Sequence, residues 1–177
     1  MATTKVIVAT GAESTGKTEM CQHLATVLKL PWVPELSRSF VENLGRQYTY
    51  DDVVELAHLQ HAEFEQMTSQ GYDVVLFDTD LIITKVWLDV VYGKCPQWIV
   101  DTIESHPAAL HLFCDTDIPW VADPVRENGG EMREKLSSIY KAELQQFKLP
   151  YTIISGKGAE RWELAENAVR SVMGTCR

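Results

Sequence analysis

Residues 11–18 read GAESTGKT, and they follow Lys5–Thr10, KVIVAT, a short β-branched run of the kind that forms a buried strand. The pattern GxxxxGKT needs a strand before it and a helix after it. Its glycines let successive backbone N–H groups turn inward around phosphate, and the following helix points its positive end at the same anion. Residues 17–29 supply that helix, with Met20, Leu24, Val27 and Leu28 on one side. A strand, a phosphate-binding turn and a helix in this order predict an α/β fold and a nucleotide site. Gly11, Ala12, Glu13, Ser14, Thr15, Gly16, Lys17 and Thr18 form the candidate nucleotide cradle, and Arg161 is added from the last helix. Lys17 supplies charge to the β- and γ-phosphates of ATP, and Thr18 offers a hydroxyl to Mg²⁺.

Alternation continues along the chain. Pro31–Pro34 is a short extended piece, and Glu35 to Leu44 turns into a helix stopped by Gly45. Asp51 or Asp52 is expected to cap a helix running to about Gln70. Asp73–Phe77 is a second buried strand, followed by a helix over about 81–92. Ala109–Cys114 and Tyr151–Ile154 complete five strands, with helices over 131–147 and about 160–173. The prediction is a P-loop NTPase, kinase-like fold: a mostly parallel five-stranded sheet with helices on both faces. One domain spans 1–177, with a polar, arginine-bearing lid at about 123–133 and Gly129-Gly130 as its hinge.

Composition narrows the function. A net charge of −9 with scattered Lys and Arg offers no basic stripe for nucleic acid. No apolar run reaches the length of a membrane span, and MATTKVIVAT lacks the apolar core of a signal peptide. Cys21, Cys95, Cys114 and Cys176 lie far apart, as reduced cytosolic thiols do. A cytoplasmic protein is expected, with a small-molecule nucleoside partner, no nucleic acid and no membrane; self-association is left open.

Other residues are placed for chemistry. Val74-Val75-Leu76-Phe77-Asp78 is four apolar residues and an acid, the form that delivers a carboxylate to Mg²⁺ or to the acceptor hydroxyl. Asp80 either contacts substrate or caps the next helix. Glu35 and Arg38 stand where an acceptor binds, although a solvated helix start has the same composition. Arg126 and Arg133 suit a lid that closes on transferring phosphoryl oxygens, or a solvated loop. Gln60 lies on an apolar helical stripe and reads a sugar or base edge unless backbone satisfies it. Trp120 and Tyr92 are the aromatic residues considered for stacking on a substrate ring, against the alternative of core packing.

The run GAESTGKT, VPELSRSF, a helix carrying Gln60, LFDTDLIIT and DIPWVADPVREN resembles the NadR-type kinase domain, the ribosylnicotinamide kinase portion of a bacterial NAD-metabolism regulator. The resemblance covers nearly the whole chain. It implies ATP and Mg²⁺ use, phosphorylation of the 5′-hydroxyl of nicotinamide riboside, Glu35 and Asp78 as groups that orient or deprotonate that hydroxyl, and Arg126 and Arg133 as the lid. Because the P-loop strand follows Met1 almost at once, the regulator's DNA-binding and adenylyltransferase modules are expected to be missing. The rival reading is a P-loop nucleotide sensor that transfers nothing to an acceptor.

Overall fold

The computed structural model describes residues 3–124 and 126–174. The elements run β1 (Lys5–Thr10), α1 (Lys17–Leu28), β2 (Trp32–Val33), α2 (Leu36–Leu44), α3 (Tyr50–Thr68), β3 (Val74–Asp78), α4 (Leu81–Tyr92), α5 (Gln97–Ser105), β4 (Leu110–Cys114), α6 (Gly130–Gln146), β5 (Tyr151–Ile154) and α7 (Ala159–Met173). The sheet order is β2-β3-β1-β4-β5, and every pairing is parallel. The expected fold is therefore present: a P-loop, kinase-like α/β sheet.

Alternation along β1 divides the core. Ile7 and Ala9 pack with Met20, Leu24, Ala165 and Val169, which places α1 and α7 on one face. Val6 and Val8 pack with Val75 and Phe77, toward Phe64 and Met67 of α3. A larger cluster joins α4 and α6 through Ile82, Val86, Leu136 and Leu144. Both faces of the sheet are covered, which is why its strands are apolar throughout rather than alternating. β1 has β3 on one side and β4 on the other. The crevice at its carboxyl end is thus the point where strand order reverses, the usual ligand position in such sheets.

Three local expectations are corrected. The cap of α3 is Thr49, not Asp51 or Asp52; its hydroxyl accepts from the Asp52 N–H, and Asp52 accepts from the Thr49 N–H at 2.7 Å. Arg46 holds the Asp52 carboxylate at 2.6 and 2.8 Å, so Asp52 becomes the third residue of a capping box. Helix α5 has no counterpart in the sequence reading, because over its nine residues only Ile99 and Ile103 are buried. Finally, the helix expected over 131–147 is present as α6 (Gly130–Gln146), and it takes in Arg133, which the sequence reading also counts to the lid at about 123–133.

Cys21, Cys95 and Cys114 are free thiols; Cys176 and Val125 of the expected lid lie outside the described residues. Among the described residues no helix is long and apolar enough to cross a membrane.

Candidate nucleotide and acceptor site

The phosphate loop opens at Gly11, whose φ is 142°. A Cβ there would stand 2.7 Å from the Cys114 carbonyl, so only glycine fits. Gly16, at φ 77°, caps α1 and lets its first N–H groups face the loop. Lys17 donates to the Gly11 and Ala12 carbonyls at 3.0 and 2.8 Å, which holds its ammonium over the loop mouth.

A loop that turns its N–H groups inward must turn carbonyls outward, and those need donors. Two buried arginines supply them. Arg133 donates to the carbonyls of Glu13 (3.1 Å), Ser14 (2.9 Å) and Ile118 (3.0 Å). Arg161, 3% exposed, donates to Thr15 (2.8 Å) and Asp115 (3.3 Å) and pairs with Asp117 at 2.8 Å. Sequence alone groups Arg133 with phosphoryl-closing residues and Arg161 with nucleotide contacts. The structure places both behind the loop, where they shape the cradle.

Asp78 ends β3 beside Ala9 of β1 and accepts from the Thr18 hydroxyl at 2.5 Å. Its Oδ1 is buried with no hydrogen-bond partner. Burial, followed by the nearby charge of Glu35, raises its pKa from 3.8 to about 6, against the Thr18 bond and Lys17. A hydroxyl, a carboxylate and an unpartnered carboxylate oxygen beside a phosphate cradle fit Mg²⁺, which commonly takes one or two protein oxygens and completes its shell with phosphate and water. Among the described residues no three His, Cys, Asp or Glu side chains converge as a self-contained metal site.

A cleft of about 610 Å³ runs from the phosphate loop past Glu35 and Arg38 to Trp87, roofed by Pro119, Val121, Pro124, Glu127 and Asn128. Glu35 stands at the cap position of α2 and accepts from Ser37 Oγ at 2.5 Å. The roof is tied to both halves of the floor. Arg38 pairs with Asp123 at 2.5 Å, and Tyr48 donates to Glu127 at 3.1 Å. Asn128 donates twice to the Glu13 carboxylate, at 3.0 and 3.1 Å. Arg126 lines the cleft and donates to the Val121 carbonyl at 2.5 Å.

Lys17, Thr18, Glu35, Arg38 and Arg126 thus share one cleft. Four expected acceptor contacts do not line it. Gln60 accepts from Thr84 Oγ1 at 2.6 Å, a helix-to-helix bond within the fold. Asp80 caps α4 by accepting from the Ile82 N–H at 3.0 Å. Tyr92 packs edge-on against Tyr50 with centroids 5.5 Å apart. Trp120 lies against Gly129, where an added Cβ would meet its ring at 3.1 Å. The aromatic wall of the cleft is instead Tyr48 and Trp87, edge to face at 4.8 Å. A signal for Trp87 was present: α4 is apolar nearly all round, so a second stripe, Ile83 and Trp87, was available once Ile82 and Val86 entered the core.

The sequence pattern of the family described as AAA domain matches residues 6–161. The trifunctional NAD biosynthesis/regulator protein NadR of Escherichia coli strain K12 is 22% identical over 175 residues, covering 94% of this chain. The chain spans only 42% of that protein's length. Solved structures of NadR protein in complex with NR and in complex with NAD and AMP-PNP superimpose with TM-scores of 0.80 and 0.79, each at 22% identity over 97% of this chain and about half of theirs (51% and 50%). Thymidylate kinase from Ehrlichia chaffeensis gives a TM-score of 0.70 at 13% identity, covering 97% of this chain and 99% of that one.

Proposed function

We propose that this chain, which belongs to the AAA domain family, is an ATP-dependent kinase that transfers the γ-phosphoryl group to a nucleoside hydroxyl, with the 5′-hydroxyl of nicotinamide riboside as the leading acceptor. The observation that carries the reading is one cleft lined by the phosphate loop together with Glu35 and an aromatic pair, Tyr48 and Trp87. A sensor needs only the phosphate loop.

The chemistry follows from these positions. Inward N–H groups and Lys17 bind the β- and γ-phosphates. Thr18 and Asp78 would hold Mg²⁺, which when bound neutralises charge on the phosphate oxygens. Glu35 orients the acceptor hydroxyl and takes its proton as the oxygen–phosphorus bond forms, and ADP leaves with the electrons of the breaking bond. Asp78 and Glu35 each accept one hydroxyl hydrogen bond, from Thr18 and Ser37, but Asp78 would be taken up by Mg²⁺, which leaves Glu35 as the base. The Tyr48 and Trp87 rings, with Glu127 bonded to Tyr48, suit a planar cationic ring. The NadR structure in complex with NR supports the choice of acceptor to test first.

The test is phosphate transfer from ATP with Mg²⁺ across a nucleoside panel that includes nicotinamide riboside. The expected result is a phosphorylated nucleoside and stoichiometric ADP. Tight ATP binding with no phosphorylated nucleoside would favour the sensor. Glu35→Gln is expected to leave ATP affinity unchanged while lowering transfer about 10²-fold or more, the usual scale of a lost general base. Arg126→Ala is expected to lower kcat at least about tenfold with a smaller change in KM, because its contact matures as charge spreads over the transferring group. A change confined to KM would make Arg126 a ground-state binder.

A further inference from the structure

β4 contributes one polar side chain to the interior that the phosphoryl-transfer scheme leaves unused. His111 is 0% exposed, as is Thr10. The Thr10 hydroxyl lies 2.8 Å from His111 Nδ1. Thr10 is the last residue of β1, directly before Gly11 and its close approach to the Cys114 carbonyl. On the other side of the ring, Nε2 is buried without a hydrogen bond and faces Asp80 Oδ2 at 3.9 Å. Asp80 belongs to the turn that leaves β3 after Asp78. Thr79 in that turn is a non-glycine residue at φ 72°, and its N–H is bonded to the Ala9 carbonyl at 3.1 Å.

One imidazole from a third strand therefore stands between the two segments that leave the sheet edge to build the phosphate site. The first carries the cradle and the second carries Asp78. Backbone donors must sit within a few tenths of an ångström of the phosphate oxygens to be effective, and such precision depends on buried supporting contacts. Burial keeps the ring neutral by lowering its pKa. The carboxylate opposite assigns the ring proton to Nε2 and leaves Nδ1 to accept from the Thr10 hydroxyl.

We propose that His111 and Thr10 are a positioning pair that fixes the root of the phosphate loop relative to the turn after Asp78, and so sets affinity for the Mg²⁺-bound nucleotide. Both side chains are fully buried, so neither would touch the nucleotide. The inference rests on the nucleotide-binding half of the proposed function and not on the acceptor.

The experiment is calorimetric titration of the full chain with AMP-PNP and MgCl₂, with thermal unfolding measured on each variant. Thr10→Val keeps the shape and removes the hydroxyl, while His111→Leu removes the acceptor. Each is expected to weaken AMP-PNP binding about tenfold, the scale of one buried hydrogen bond expressed as positioning. Thr10→Ser and His111→Asn restore a partner and are expected to bind within about threefold of wild type. The double variant is expected to bind no worse than either single variant, since both remove one interaction. Thr10→Val stays informative even if His111→Leu does not fold. Folded Thr10→Val with a lowered Tm and unchanged affinity would overturn the proposal by showing a purely structural bond. A wild type that binds no AMP-PNP would remove the phosphate site itself and the pair's role with it; a wild type that binds AMP-PNP but phosphorylates no nucleoside removes only the kinase reading.

Discussion

Lys17→Ala is expected to abolish measurable phosphoryl transfer and to weaken ATP binding by about 2–3 kcal/mol, the scale of a charge-assisted hydrogen bond in a partly dry site. The ammonium is held over the mouth of the loop by the Gly11 and Ala12 carbonyls. Arg133 and Arg161 cannot take its place, because their guanidinium groups are committed to carbonyls on the far side. Folding should survive, since removing a partly exposed cation opens no core cavity. Isothermal titration with ATP and a coupled ADP assay are the measurements. Unchanged affinity and turnover would mean that GAESTGKT is an ordinary turn in this chain.

Asp78→Asn is expected to act with opposite signs on activity and stability. Its carboxylate is buried, and its pKa is raised from 3.8 to about 6. Between those values the native state binds more protons than the unfolded chain, so stability falls as pH rises through that window and the cost is fully present above it. The upper bound is about 3 kcal/mol at neutral pH, since each tenfold gain in proton affinity on folding is worth about 1.4 kcal/mol. With EDTA present at pH 7.5, Asp78→Asn should therefore melt higher, by roughly 5 °C for a chain of this size. The gain should shrink at pH 4.5, where wild-type Asp78 is largely protonated. Turnover should meanwhile fall by about 10³-fold, because charge is lost beside Mg²⁺ and the transferring group. Differential scanning fluorimetry at the two pH values and a magnesium titration of activity read both effects. Near-normal activity at any magnesium concentration would make Asp78 structural.

How much was legible depended on the range of the interaction concerned. Strands ending at Thr10, Asp78 and Cys114 were readable because a short apolar run closed by a polar residue is a local signal. The phosphate loop was readable because its chemistry demands glycine, lysine and a hydroxyl at fixed spacing. The cap of α3 was misplaced because the Asp52 carboxylate is drawn back by Arg46, a side chain outside the helix. Tyr92 and Trp87 lie on one helix, and composition favours neither as the substrate-facing ring. Their roles were decided by what packs beside them: Tyr50 against Tyr92, and the cleft against Trp87. Arg133 and Arg161 were hardest, since nothing in a sequence marks which outward carbonyls lack donors.

That last feature bears on the order in which the molecule becomes competent. The phosphate loop spans residues 11–18, but Arg133 and Arg161 belong to α6 and α7, far later in the chain. A ribosome that has just released β1 and α1 has therefore exposed the whole motif without the groups that shape it. Such long-separated contacts form late, after most of the chain has collapsed. Nucleotide is expected to be captured only once the final helix has been synthesised and docked, so a nascent chain stalled before Ala159, where α7 begins, would carry the motif and bind no ATP.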